Sequence, residues 1–334
     1  MIPAYLYHQQ SFILSLNAYK YQVCFLFYFA LLYLRPDTQK LIKPICIIAF
    51  LFCSIQLIQQ VTYPHYIFYL RGDENNRVAG SIEIRMGMYR YALLGIYIVI
   101  LAFYYLLCRW LDTNIKKHLY MAVFFFLGIF VYSERITYVF VIFLAIMGLL
   151  LFKYKRKPQK NMLFFFVIML FVAVSWTMIS DALQSTKSQQ KYSSLQEDQF
   201  RSGGYTFFSN YWPHWSTYIW GNGIASNESK YGAELDDLIT TNFILRADLG
   251  LFGLFNERGI LFVLAIFYLY YKLFCSWKYL PKYLKLTLLL MLVNIFVRSS
   301  FFHPSGVILF MIVLYLCDVS IAKNKQTTKI RIQQ

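Results

Sequence analysis

The chain has 334 residues, of which 59% are hydrophobic, 20% aromatic and only 14% charged. That composition excludes an ordinary soluble domain, and uncharged runs of 17 residues (Ile136–Phe152) and 20 residues (Asn161–Ser180) match the thickness of a bilayer. The net charge of +16 lies in short connectors between apolar runs rather than along one continuous face, so no nucleic-acid partner is expected.

Nine apolar spans are predicted, at 19–34, 44–63, 90–108, 118–133, 136–152, 161–180, 250–271, 284–302 and 305–322. The expected fold class is all-α: a polytopic transmembrane helical bundle of about nine spans, forming one integral membrane domain over 1–334. One set of connectors, together with the C-terminal tail, carries nineteen basic residues, among them Lys40, Lys43, Arg109 and Lys157, against Asp37, Asp112 and Asp318. The remaining connectors carry twelve basic and thirteen acidic residues. The positive-inside bias therefore puts the first set in the cytoplasm and places 64–89, 133–135, 181–249, 299–304 and the N-terminus outside. The first nineteen residues carry no charge and include His8, Gln9 and Gln10, which does not read as a cleavable signal. The six cysteines show no spacing for a disulfide framework or a zinc site, so no metal is expected.

Basic residues on the two sides differ in kind. Outside, nine of twelve are Arg, against four of nineteen inside. Orientation needs only positive charge, whereas bidentate donation to phosphate or carboxylate needs a guanidinium. The first outer loop holds Arg77-x-x-Gly80, followed by a short alternation at Ile82 to Arg85 that reads as strand. Ser133-Glu134-Arg135 forms the tightest outer turn.

The long extracytoplasmic segment 181–249, between spans six and seven, begins polar and becomes aromatic. Phe208, Trp212, Trp215 and Ile219 recur at helical spacing, which predicts an amphipathic helix in the membrane's aromatic belt or above a sugar cavity. Tyr211, Trp212, Trp215 and Trp220 are the candidate sugar-stacking rings. Gly221-Asn222-Gly223 predicts a sharp turn, and Asp248-x-Gly-x-x-Gly253 leads into a span that carries Asn256, Glu257, Arg258 and Gly259. Glu257 and Arg258 lie within the hydrophobic register and must face protein, water or ligand.

These motifs, in this order among apolar spans, resemble the bacterial O-antigen polymerase (Wzy-type) and O-antigen ligase superfamily over about residues 60–275. The resemblance assigns no role to residues 1–40. It implies a glycosyltransferase of the bacterial inner (cytoplasmic) membrane that uses glycan carried on undecaprenyl pyrophosphate, with no cofactor or metal and with its active site at the outer leaflet. Ligases carry a His-Asn pair shortly before the glycine run. Here 238–245 has Asn242 and no histidine, which favours a polymerase.

Under that reading the partners are membrane lipid, lipid-pyrophosphate-linked glycans and a chain-length regulator. Arg135, Arg201, Arg77 and Arg258, in that order, and then Arg246 and Arg298 would hold the pyrophosphate as charge develops on it. Asp237, Asp236, Asp248 or Glu257 would take the acceptor proton. The alternatives are an O-antigen ligase, a flippase or other transporter, and a scaffold. A transporter would be expected to show internal repeats and charges through the depth of its spans, and the sequence has neither.

Overall fold

The computed structural model describes residues 1–62, 84–85, 88–89, 95–131, 135–153, 203–242, 244, 246–297 and 304–333. Among these the protein is helical, apart from one antiparallel ladder of two-residue strands, β1 (Ile84–Arg85) and β2 (Met88–Tyr89). That ladder falls at the end of the alternation predicted for Ile82 to Arg85. Four helical stretches are long and apolar enough to cross a bilayer: Thr38–Thr62, Ile96–Thr113, Arg246–Cys275 and Gly306–Gln326. They correspond to the spans predicted at 44–63, 90–108, 250–271 and 305–322, and make this a membrane protein.

The remaining predicted spans fare differently. Of the spans predicted at 118–133 and 284–302, positions 118–131 and 284–297 fall on 16-residue helices, α6 (Lys116–Val131) and α12 (Lys282–Val297), and the rest lie outside the described residues. Positions 136–152 fall on α7 (Arg135–Lys153), in which Val139–Leu149 forms a shorter apolar stretch. Positions 19–34 form a 3-10 turn (Lys20–Leu26) followed by α3 (Phe27–Leu34) instead of one long α-helix. Positions 161–180 lie outside the described residues.

The chain divides into two compact units, each built from three separate stretches. The larger comprises Ala30–Met178, Tyr279–Leu290 and Ile312–Gln334. Its centre is α5 (Ile96–Thr113), flanked by α4 (Thr38–Thr62) and α6, with Val99, Ala102 and Tyr104 fully buried. Asn114 in the left-handed conformation caps α5 and lets the chain turn into α6 within two residues. Gly128 on α6 faces Cys53 on α4 so closely that a Cβ there would lie 2.3 Å from the sulfur. Small residues permit such approach between apolar helices, where packing rather than hydrophobic exclusion drives association.

The second unit comprises Met1–Phe29, Ile179–Lys278 and Met291–Met311. Here α1 (Ile2–His8) and α2 (Phe12–Tyr19) meet a helix over 203–210 (α8), α9 (Thr217–Trp220), α10 (Lys230–Asn242), a 3-10 turn (Arg246–Leu249) and α11 (Gly250–Cys275). The amphipathic helix expected across Phe208–Ile219 does not form. Phe208 is a core residue of α8, the chain turns over 211–216, and only the four residues of α9 are helical again. Pro213 is the physical reason: it lacks an N–H to donate and steers Trp212 away from helical dihedrals.

Candidate functional site

The organising feature of the second unit is a break in α11. Gly259 has φ 79 and ψ 173, a combination open essentially to glycine alone. In an unbroken helix the carbonyls of Asn256 and Glu257 would accept from residues four positions on. At the break they accept instead from the backbone N–H groups of Asn222 and Gly223, each at 2.8 Å. The two glycine motifs therefore interlock. A Cβ on Gly259 would lie 2.1 Å from the Ile219 carbonyl oxygen, and one on Gly221 would lie 2.3 Å from that of Glu257.

Glu257 and Arg258 end the first half of α11, directly before the break. Arg258 Nε donates to Glu257 Oε1 at 3.1 Å, and Arg246 Nη2 pairs with Glu257 Oε2 at 3.2 Å. Gly253 lets Arg246 reach this position, because a Cβ there would collide with the Arg246 carbonyl at 2.1 Å. The Arg246, Arg258 and Glu257 side chains are only 11%, 10% and 20% exposed, so this is a partly dehydrated cluster and not a solvated surface pair. Arg258 Nη1 also donates to Gln22 Oε1 at 2.8 Å, and Arg246 Nη1 to the Tyr231 hydroxyl at 3.0 Å. Two guanidiniums share one carboxylate, so the trio is formally cationic.

His8 enters the same region from α1. Its ring stacks on Tyr231 with centroids 3.9 Å apart, and Tyr211 stacks at 5.6 Å. A chain of amides fixes its tautomer. Asn256 Nδ2 donates to the Phe208 carbonyl at 3.1 Å, and Asn222 Nδ2 donates to the Tyr211 carbonyl at 3.0 Å and to Asn256 Oδ1 at 3.2 Å. Carbonyls can only accept, so both amide orientations are set, and Asn222 presents Oδ1 to His8 Nε2 at 3.3 Å. His8 Nε2 must then carry the proton, leaving a lone pair on Nδ1. Burial pushes the His8 imidazole below its ordinary value, against the pull of the Asn222 hydrogen bond and Glu234, so the ring is neutral near pH 7. Burial likewise raises the Tyr231 phenol, outweighing the lowering by Arg246, so it remains a hydrogen-bonding neutral group.

The N-terminal segment is held in place by Gln10, which is 1% exposed with both ends of its amide engaged. Oε1 accepts from Ser226 N and Ser229 Oγ, both at 2.9 Å, while Nε2 donates to Ser15 Oγ at 3.1 Å and to the Ile224 carbonyl at 3.2 Å. Tyr7 adds a 2.6 Å hydrogen bond to Ser216 Oγ and stacks on His214. His214 itself bonds Ser216, an ordinary turn-stabilising role. Residues 1–22, to which the family resemblance assigned no role, thus supply three side chains that hold or contact the cluster: His8, Gln10 and Gln22.

Of the expected pyrophosphate donors, Arg246 and Arg258 are brought together. Arg77, Arg201 and Arg298 lie outside the described residues, and Arg135 is placed only as the first residue of α7. Among the expected bases, Glu257 is committed to the two arginines. Asp236 and Asp237 lie on the exposed side of α10, where Asp237 accepts from Thr241 at 3.0 Å, and Asp248 sits half-buried in the 3-10 turn. Of the stacking candidates, Trp212 lies face to face with Tyr218 at 4.2 Å and against Phe255, while Tyr211 is enclosed by His8 and Phe207. Trp215 and Trp220 keep 69% and 61% of their surface open. Among the described residues no three His, Cys, Asp or Glu side chains gather as a metal set.

No family model matches the chain, and neither does any curated protein or solved structure. What the residues themselves supply is the chemistry of the cluster. It offers two preorganised guanidiniums, a fixed carboxylate between them, and a neutral imidazole with a free lone pair. Sequence reasoning missed His8, Gln10, Gln22 and Tyr231. The available signal was the presence of His8, Gln10 and Gln22 inside otherwise apolar stretches, since polar groups there are costly unless paired.

Proposed function

We propose that the protein is a multi-pass glycosyltransferase of the bacterial inner membrane, with about nine spans, that polymerises oligosaccharide repeat units carried on undecaprenyl pyrophosphate. The observation that carries this reading is the Arg246–Glu257–Arg258 cluster at the α11 break, with its neighbouring neutral His8. In the reaction, an acceptor sugar hydroxyl attacks the anomeric carbon of the donor glycan as the carbon–oxygen bond to pyrophosphate breaks. The bonding pair leaves on the lipid pyrophosphate, whose growing charge Arg246 and Arg258 stabilise in a site that needs no reorganisation. The acceptor proton passes to His8 Nδ1. Glu257 serves as the positioning group for both guanidiniums and not as the base. Trp215 and Trp220 offer open faces for sugar stacking, and Arg135, Arg201, Arg77 and Arg298 are further candidates for phosphate contact. Membrane lipid and a chain-length regulator complete the partners.

A transporter of the same lipid-linked glycan is the second reading, and the broken α11 favours it. Interrupted membrane helices recur where transporters bind substrate. The charged cluster lies on one side of the break, with the uncharged run Ile260–Tyr271 and then Lys272 in the last turn on the other. One reconstitution separates the readings: purified protein in lipid nanodiscs is given undecaprenyl-pyrophosphate-linked oligosaccharide, and products are measured by mass. Glycans of two or more repeats with released undecaprenyl pyrophosphate are expected. Transfer only onto lipid A core would indicate a ligase. Intact substrate in nanodiscs, combined with translocation across vesicles, would indicate a transporter.

A further inference from the structure

The larger unit carries a groove of about 770 Å³ formed by α4, α5 and α6, remote in chemistry from the His8 cluster. Its lining changes character along α4. Lys40 and Lys43 stand at one end, Cys46 and Ile47 follow, and Phe50 closes the other. These positions recur every three to four residues, so they form one stripe of the helix, about 15 Å from Lys40 to Phe50 at 1.5 Å per residue. Arg109 on α5 adds a third cation to the lining, and Met121 on α6 a further apolar side chain. Phe50 leans on Phe124 of α6 with ring centroids 5.2 Å apart, which gives the apolar end a firm wall.

The charges at the basic end are uneven. Lys40, Lys43 and Arg109 are all exposed, and among the described residues none makes an ion pair with a carboxylate. Arg109 Nη1 donates to the Tyr105 hydroxyl at 3.4 Å. The one acidic residue of the lining, Asp37, accepts from the backbone N–H of Gln39 at 3.3 Å, a helix-start role. Three cations against one carboxylate call for an anion. Ile47 and Phe50 are 52% and 43% exposed, so the apolar end calls for a hydrocarbon continuous with that anion.

We infer that this groove is a binding site for one anionic glycerophospholipid, with the headgroup phosphate at Lys40, Lys43 and Arg109 and an acyl chain along Ile47 and Phe50. Basic pockets between membrane helices take such headgroups, and each nearby cation adds measurably to the attraction. Free phosphate satisfies the cations but leaves the apolar half uncovered, and a zwitterionic lipid covers the apolar half without matching the charge. The site stands on the larger unit alone and does not depend on the glycosyltransferase reading.

The test is native mass spectrometry of the whole purified protein in detergent, titrated with phosphatidylglycerol, phosphatidylcholine or inorganic phosphate. Phosphatidylglycerol should be retained about tenfold more tightly than phosphatidylcholine, a preference lost in Lys40→Gln/Lys43→Gln/Arg109→Gln. Ile47→Trp keeps every charge but fills the acyl half, and should also lower phosphatidylglycerol retention. All four positions are exposed, so the variants are expected to fold, and their melting temperatures serve as the control. Equal retention of the two lipids, or an undiminished preference in the triple variant, would overturn the site. Unchanged lipid retention in Ile47→Trp, or phosphate displacing the lipid from the wild type, would overturn the lipid assignment.

Discussion

Gly259→Ala tests the interlock on which the cluster depends. Position 259 has φ 79 and ψ 173, where an alanine incurs about 1–3 kcal/mol of backbone strain. Its Cβ would also lie 2.1 Å from the Ile219 carbonyl oxygen and 2.5 Å from Gly221 N, both backbone atoms that no rotamer change can move aside. Separating the segments far enough to relieve that contact breaks the Asn222 and Gly223 hydrogen bonds to the Asn256 and Glu257 carbonyls, at about 1 kcal/mol each. Together these predict a loss of about 3–5 kcal/mol. Straightening α11 would be the alternative escape, and it dismantles the cluster equally. The assay is thermal unfolding of purified protein in detergent, combined with hydrogen exchange. Melting should fall by more than about 5 °C, with exchange protection lost over 219–223 and 256–261. Gly203→Ala is the control, since among the described residues its Cβ would meet the Ile244 Cδ1 at an ordinary 3.7 Å. Wild-type melting and protection in Gly259→Ala would refute the interlock.

Glu257→Gln leaves two guanidiniums without the carboxylate between them and should cost about 3–5 kcal/mol, read as a lowered melting temperature; Asp237→Asn, on an exposed face, should leave melting unchanged. Gln10→Ala strands the buried Ser226 N–H, at about 1–3 kcal/mol, while Ser229 Oγ keeps the Ser226 carbonyl as its acceptor; the change should expose the 224–229 loop to added protease, and protection equal to wild type would contradict the N-terminal anchoring. Because burial holds the His8 imidazole below its ordinary 6.5, the neutral, proton-accepting form persists below that pH. The acid limb of kcat/KM should therefore centre below pH 6.5 and vanish in His8→Gln, whereas an unchanged limb in that variant would remove His8 from the reaction.

How much of this was legible in the sequence depended on the range of the interactions. Thr38–Thr62 and Ile96–Thr113 could be read because an apolar run long enough to span a bilayer is a local property. Gly221 could be read as a place of backbone freedom and Gly259 only as a residue within a span, and neither as the other's partner, because a motif does not state what approaches it. The helix expected over Phe208–Ile219 failed on a single local residue, Pro213, which outweighed an apolar periodicity that was otherwise sound. His8, Gln10 and Gln22 were hidden for a different reason. Their partners Asn222, Ser226 and Arg258 lie more than 200 positions away, and hydrophobic patterning carries no information about such pairings. Glu257 was recognised as a charge that must be satisfied, yet its role as a bridge between Arg246 and Arg258 emerged only once the 3-10 turn was placed against α11.

In the proposed reaction Arg246 and Arg258 hold the pyrophosphate of a lipid-linked glycan while His8 faces the acceptor. The most direct measurement is an electron cryomicroscopy structure of the protein in a nanodisc with undecaprenyl-pyrophosphate-linked oligosaccharide bound. Pyrophosphate density is expected within hydrogen-bonding distance of both guanidiniums, with the first sugar on the His8 side. Pyrophosphate bound away from Arg246 and Arg258, with the Glu257 bridge undisturbed, would contradict it.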